Sequence, residues 1–253
     1  MLSKNKIKLI RSLESKKQRI ETGLFVAEGN KLVADILPFF NCELLVAKPA
    51  WIAAQGDLQV RELIIAEDND ISRASLLKNP QDVIAVFTQS KRSLNKEILK
   101  NGLTLVLDGI QDPGNLGTII RLADWFGIRN LIGSPDTADV YNPKNVQASM
   151  GSMAHVDVFY EPLPALLEEL KDLPIYGTFL DGKILYESNL NSTGVIVMGN
   201  EGNGIRPEVE QYVTNRLYIP NFPQGSESTE SLNVAVAAAI VCAEFRRQQV
   251  YLV

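Results

Sequence analysis

Residues 112–127, DPGNLGTIIRLADWFG, join a glycine-containing turn to a helical pattern and place two polar side chains where chemistry could use them. Asp108 ends an apolar run, Pro113 suits the start of a turn, and Gly114 and Gly117 permit close backbone approach. Leu116, Ile119, Ala123 and Phe126 recur at three- and four-residue spacing, which gathers them on one helix face and leaves Thr118, Arg121 and Asp124 on another. Arg121 therefore projects one to two turns from the mouth of the loop. A guanidinium there can grip a phosphate through two parallel hydrogen bonds, or pair with Asp124 or a neighbouring acid as an ordinary surface arginine. Asn115 lies in the turn itself. The stretch has neither the Lys-Ser/Thr of a nucleoside triphosphate loop nor the glycine spacing of a dinucleotide site, which counts against a dinucleotide-dependent oxidoreductase.

Two further loops hold comparable features. IVMGNEGNGI (196–205) runs a buried strand into three glycines within six residues, exposing backbone N–H and carbonyl groups to a phosphate or to the edge of a flat base. Glu201 in the middle of this turn repels phosphate and suits a cation or ribose hydroxyls; a plain hairpin or helix-entry turn is the alternative. YIPNFPQGSESTESLNVAVAAAIVCAEFRRQ (218–248) ends in a helix apolar nearly all round, which predicts burial, and its alanines allow close approach of another backbone. Ser231 or Thr229 suits its N-cap. Asn233 is a polar amide in the first turn of that helix and needs partners, since an unsatisfied one costs about 1–3 kcal/mol. A helix N-terminus facing a ligand would supply them.

The elements that must position these loops follow from periodicity. Strands are expected at 103–108, 129–132, 155–160, 174–180, 194–198 and 216–220, with helices near 114–126, 142–151, 162–172, 205–214 and 231–248. Nearly continuous apolar strands alternating with helices predict a parallel sheet covered on both faces, with ligands beyond the carboxyl ends of the strands. Upstream, LFVAE (24–28), CELLVA (42–47) and VIAVF (83–87) suit a small α/β module. The polar stretch 88–102 separates the two, giving domains 1–98 and 99–253.

Composition narrows the chemistry. At 253 residues with 45% hydrophobic and 22% charged residues, the chain is of ordinary globular composition. No apolar run has the length of a membrane span and no signal-like segment opens the sequence, so a cytoplasmic location is expected. Cys42 and Cys242 read as buried reduced thiols. A single histidine, His155, argues against a zinc centre or a histidine-based triad. Seven basic residues against Glu14 give residues 1–20 a net +6, while the whole chain carries −5 and the remainder therefore −11. Such an arm, including Lys4, Lys6, Lys8 and Arg11, is footing for a polyanion or a solvated helix face.

Taken in order, the three loops resemble the SpoU (TrmH-like) RNA 2′-O-ribose methyltransferases of the SPOUT superfamily. VYNPKNVQASMGS (140–152) and IYGTFLDG (175–182) add to the match, and GLFVAEGNKLVADIL (23–37) is similar to the start of the family's small RNA substrate-binding domain. The resemblance implies an α/β-knot catalytic domain, a parallel sheet ending in a deep trefoil knot, behind a small N-terminal α/β domain. It implies S-adenosyl-L-methionine as cofactor, bound through backbone groups at positions matching Gly199, Ile219 and Leu232, with Gly202 beside them. It implies a homodimer, an RNA substrate (ribosomal before transfer RNA), no metal and no membrane. The family's functional residues fall on Asn115, Arg121, Glu201, Ser231 and Asn233.

In the family the arginine matching Arg121 binds the target phosphate and activates the 2′-hydroxyl. A free guanidine base is too costly near neutral pH, so orientation and electrostatics are the expected contribution. A catalytically silent knotted RNA-binding protein is the competing reading. Two departures stand out: the loop NFPQGSESTE (221–230) is longer than the family's usual spacing, and Gln147 stands where an arginine is common.

Overall fold

A computed structural model describes residues 2–223 and 231–251. Thr229 and most of the long 221–230 loop lie outside the described residues. The chain forms two compact units: residues 1–92 with 139–154, and residues 93–138 with 155–253. Residues 139–154 cluster with the N-terminal segment although they follow residues 93–138 of the other unit in the chain.

The first unit contains α1 (Lys4–Ser12), α2 (Lys16–Thr22), β1 (Leu24–Glu28), α3 (Asn30–Ile36), β2 (Cys42–Ala47), α4 (Pro49–Ala53), β3 (Leu63–Ile65), α5 (Asp68–Ala74) and β4 (Val83–Thr88). Its sheet runs β1-β4-β2-β3, antiparallel except for the β2–β3 pair. One face buries Val26, Val46, Ile84 and Val86 against Ile10 and Leu13 of the N-terminal segment and Ile71 of α5. The basic N-terminal segment is thus two helices, α1 and α2, with Ile10, Leu13 and Arg19 buried. On the other face Phe25 stacks on Phe87 at 5.4 Å and lies 4.8 Å from the ring of Tyr141. Arg19, counted with the basic arm, is buried: it donates to Asp139 at 2.7 and 2.9 Å and to the Leu13 and Glu14 carbonyls. These contacts explain why 139–154 groups with the first 92 residues.

The second unit contains β5 (Leu103–Asp108), α6 (Pro113–Trp125) and β6 (Asn130–Gly133). The chain then contributes α7 (Pro143–Ser149) to the first unit before β7 (Asp157–Tyr160), α8 (Leu163–Glu169), β8 (Ile175–Ile184), β9 (Gly194–Gly199), α9 (Pro207–Glu210), β10 (Asn215–Tyr218) and α10 (Val234–Tyr251). All six strands are parallel in the order β10-β8-β9-β5-β6-β7. The central β5 is buried throughout, as its apolar run requires. Val106, Ile132, Val195 and Val197 pack there with Leu163, Leu166 and Leu167 of α8.

Two helices differ from expectation. The helix expected over 205–214 is reduced to α9, because Arg206 precedes Pro207 and takes an extended conformation (φ −67°, ψ 146°), so helix can start only at residue 207. The terminal helix starts at Val234 and is not wholly buried: Val236 is 49% exposed, as is Leu232 just before the helix at 47%. Both thiols are buried, which pushes the Cys42 and Cys242 pKa values up to about 12.

Candidate active site

Parallel pairing in register sets Asp108 against Gly199, so the loops leaving β5 and β9 emerge side by side at one edge of the sheet. A side chain at 199 is impossible without rearrangement: a Cβ would lie 2.3 Å from the Gly204 carbonyl carbon and 2.4 Å from the Ile205 nitrogen. The loop closes on itself, Asn200 and Gly204 exchanging backbone hydrogen bonds of 3.0 and 2.8 Å, with Gly204 at φ +67°. The Asn200 amide donates to the Gly109 carbonyl at 2.8 Å and accepts from the Gly202 N–H at 2.8 Å. Asn200 therefore ties the β9 loop to the β5 loop, a role that no local pattern revealed.

On the β5 side, the Asp112 carboxylate caps α6 by accepting from the Asn115 N–H at 2.9 Å. That fixes the first turn and aims Asn115 outward. Its Nδ2 donates to Glu201 Oε1, and its Oδ1 accepts from Asn233 Nδ2 at 3.0 Å. Asn233 in turn accepts from the Ala235 and Val236 N–H groups at 3.0 and 3.3 Å. The result is a relay from a carboxylate through two amides to the N-terminus of α10. It leaves Glu201 Oε2 and one hydrogen on each amide without partners among the described residues, at an exposed position.

Asn233 is consequently the cap of α10, in place of the expected Ser231 or Thr229. The helix begins at Val234, two residues later than a Ser231 cap and four later than a Thr229 cap would start it, and the Asn233 amide oxygen accepts from its second and third N–H groups. The polar amide that sequence reasoning found hard to place is satisfied by the helix end and by Asn115. Ser231 is exposed and makes no hydrogen bond among the described residues.

Arg121 is exposed on α6, about two helix turns beyond Asn115, and has no hydrogen-bond or ion-pair partner among the described residues. Asp124, its expected surface partner, lies 3.1 Å from His155 Nδ1 instead. The adjacent Arg206 is bound tightly: its backbone N–H and Nε each donate to the buried Asp108 carboxylate at 2.7 Å, and Asp136 lies 3.3 Å away. Asp108 raises the Arg206 pKa, while the Asp136 carboxyl is held below its usual value, chiefly by the Ser134 hydroxyl with Arg206 adding to it. Asp108 was visible as the end of a strand, but its partner lies 98 residues later and carries no local signal.

Of the remaining expected residues, Gly202 has its N–H engaged by Asn200 but keeps an exposed backbone, Ile219 is half-buried just after β10, and Leu232 is exposed. In the first unit, Lys4 and Lys8 are exposed and without partners among the described residues. Lys6 pairs with Glu62, and Arg11 donates to the Arg73 and Ser75 carbonyls at 3.3 and 3.4 Å. No cluster of three or more His, Cys, Asp or Glu side chains suited to a metal occurs among the described residues.

Residues 102–243 match the family model described as the SpoU rRNA Methylase family. The chain belongs to that family. SpoU membership is joined by a match of residues 4–85 to an MRM3-like substrate binding domain. Among SpoU relatives, the 23S rRNA (guanosine(2553)-2′-O)-methyltransferase RlmP of Bacillus subtilis is 33% identical over 248 residues, covering 95% of this chain and 96% of its own. A solved structure of a TrmH-family protein from Porphyromonas gingivalis is 44% identical with a TM-score of 0.89, over 98% of this chain and 99% of that one. An AdoMet-bound rRNA methyltransferase from Sinorhizobium meliloti is 31% identical with a TM-score of 0.83, covering 98% and 96%. The SpoU fold assigns the parallel sheet to the methyltransferase class.

The site suits the family's cofactor on its own chemistry. Gly202 and Gly204 expose their backbone, and nothing lies within 4 Å of where a Gly204 Cβ would stand, which leaves room for a flat ring at this loop. The Glu201 carboxylate suits ribose hydroxyls or the positive charge of a sulfonium and its amino group.

Proposed function

We propose that this chain transfers a methyl group from S-adenosyl-L-methionine to a ribose 2′-hydroxyl of ribosomal RNA. The observation that carries the reading is the meeting of three distant loops. Asn115, Glu201 and Asn233 form one hydrogen-bonded relay across up to 118 residues of sequence, while Arg121 on the helix that starts there is left without a protein partner. S-adenosylmethionine, when bound, supplies an electrophilic methyl on a sulfonium whose leaving thioether is neutral, so no metal or covalent intermediate is needed.

The remaining work falls to the chain. Backbone groups at Gly199, Ile219 and Leu232, with Gly202 beside them, hold the adenosine. The relay fixes the loop edges against it and removes the freedom that would blur the geometry. Arg121 grips the phosphate next to the target ribose, orients the 2′-hydroxyl and stabilises the negative charge that develops on its oxygen as the methyl is transferred and the hydroxyl proton passes to solvent water. Ser231, at the entrance to α10, adds a hydroxyl at the rim.

Residues 1–98 serve as the RNA substrate-binding domain and 99–253 as the methyltransferase domain. Lys4 and Lys8 offer charges to the phosphate backbone, with Lys6 and Arg11 available once their intramolecular partners are displaced. The exposed Leu232 and Val236 support a homodimer through the methyltransferase domain. The family's trefoil knot at the C-terminal end and a cytoplasmic location belong to the same reading. No helix among the described residues is long and apolar enough to cross a membrane. Ribosomal RNA is preferred over transfer RNA because RlmP is named for 23S rRNA.

The test is incubation with methyl-labelled S-adenosylmethionine and an unmodified 23S rRNA transcript, followed by digestion to nucleosides. Label in a 2′-O-methyl nucleoside is expected. Cofactor binding without any transfer would favour the silent RNA-binding alternative.

A further inference from the structure

The chain has two tryptophans, and they are treated in opposite ways. Trp51 is 6% exposed and its indole N–H donates to the Asn30 carbonyl at 3.1 Å. Trp125, the last residue of α6, is 84% exposed and makes no hydrogen bond or ring contact among the described residues. An indole held in water on a rigid helix contributes almost nothing to the stability of its own unit; its large ring is useful only to something that covers it.

Its neighbours say what that is. Arg121 lies four residues earlier, which puts the two side chains on adjacent turns of one helix face, about 6 Å apart along the axis. Arg129, four residues later, is exposed and donates through Nη1 to the His155 carbonyl at 3.3 Å. Arg246 closes the end of α6, donating to the Phe126 and Gly127 carbonyls at 2.6 and 3.4 Å. The acid on this stretch, Asp124, is engaged by His155. An exposed flat ring on the same helix face as an unpartnered guanidinium complements a stacked base with its phosphate about one helix turn away.

We propose that Trp125 is a stacking platform for an unpaired nucleotide next to the methylation target, positioning the strand so that its phosphate reaches Arg121. The proposal rests on the methyl-transfer reading above. Trp125 is a positioning residue: it sets how the RNA lies and leaves the transfer step to others. Stacking needs a ring rather than an indole, so phenylalanine is an adequate substitute and alanine is not.

The experiment compares full-length wild type, Trp125→Phe and Trp125→Ala on an unmodified 23S rRNA transcript. Trp125→Ala is expected to raise KM for RNA about ten-fold or more, with kcat and S-adenosylmethionine affinity within about three-fold, and Trp125→Phe to restore most of the loss. The emission lost on replacing Trp125 by Phe should be the part that the transcript quenches in the wild type. Unchanged KM in Trp125→Ala would overturn the proposal, as would unquenched emission. So would a fall in molecular mass of Trp125→Ala by sedimentation, which would make the ring a contact between copies of the chain. Absence of methyl transfer by the wild type itself would overturn the underlying reading; quenching without transfer would still support the platform.

Discussion

Two arginines of the methyltransferase unit make opposite use of the same side chain. At the end of β5, Arg206 is spent within the fold: its backbone and guanidinium both bind the buried Asp108, and Asp136 closes around it. On the exposed face of α6, Arg121 meets no partner at all among the described residues. A fixed ion pair over a buried carboxylate holds two loops in register, whereas an unpaired guanidinium beside a preorganised relay is available to a ligand. The difference separates architecture from chemistry more clearly than residue type does, and substitutions at each site should separate them in measurement.

The largest contrast is expected at Arg121. Arg121→Ala should lower methyl transfer about 100-fold or more, the scale of losing one preorganised donor to a developing oxyanion. Its melting temperature and cofactor affinity should stay close to wild type, which calorimetry can check. Arg206→Ala should do the reverse, losing about 2–3 kcal/mol of stability in denaturant titration because Asp108 is left buried without its counter-charge. A stable Arg206→Ala protein with normal turnover would erase the contrast. Asn233→Ala removes a helix cap and a relay member together, so a loss of about 1 kcal/mol in stability should accompany a drop in kcat. Replacing Lys4 and Lys8 with alanine should leave turnover at saturating RNA unchanged and reduce the dependence of log affinity on log salt by about two. The smallest effect is expected from EDTA, which should not change the rate.

Much of the fold could be read in advance because its signals are local. The apolar runs of β5 and β9 and the three- to four-residue spacing in α6 each lie within one short window. The convergence of Asn115, Glu201 and Asn233 was legible only through the family resemblance, since no local pattern links positions this far apart. Other features depended on partners that sequence spacing does not disclose. Arg19 reads as a solvated base in a basic helix, yet Asp139, 120 residues away, draws it into the interior. Asn200 reads as one more turn residue beside three glycines, yet its amide bridges two loops. The α10 cap was missed because two hydroxyl residues precede Asn233, and only the true start of the helix decides among them.

The most direct test of the central claim is a crystal structure of the protein with S-adenosylhomocysteine. The account predicts adenosine lying against the backbone at residues 199, 219 and 232, with the Arg121 guanidinium of the same chain or of a twofold mate facing the sulfur side where a methyl would stand. A ligand bound elsewhere, or Arg121 remote from it in both copies, would contradict the assignment.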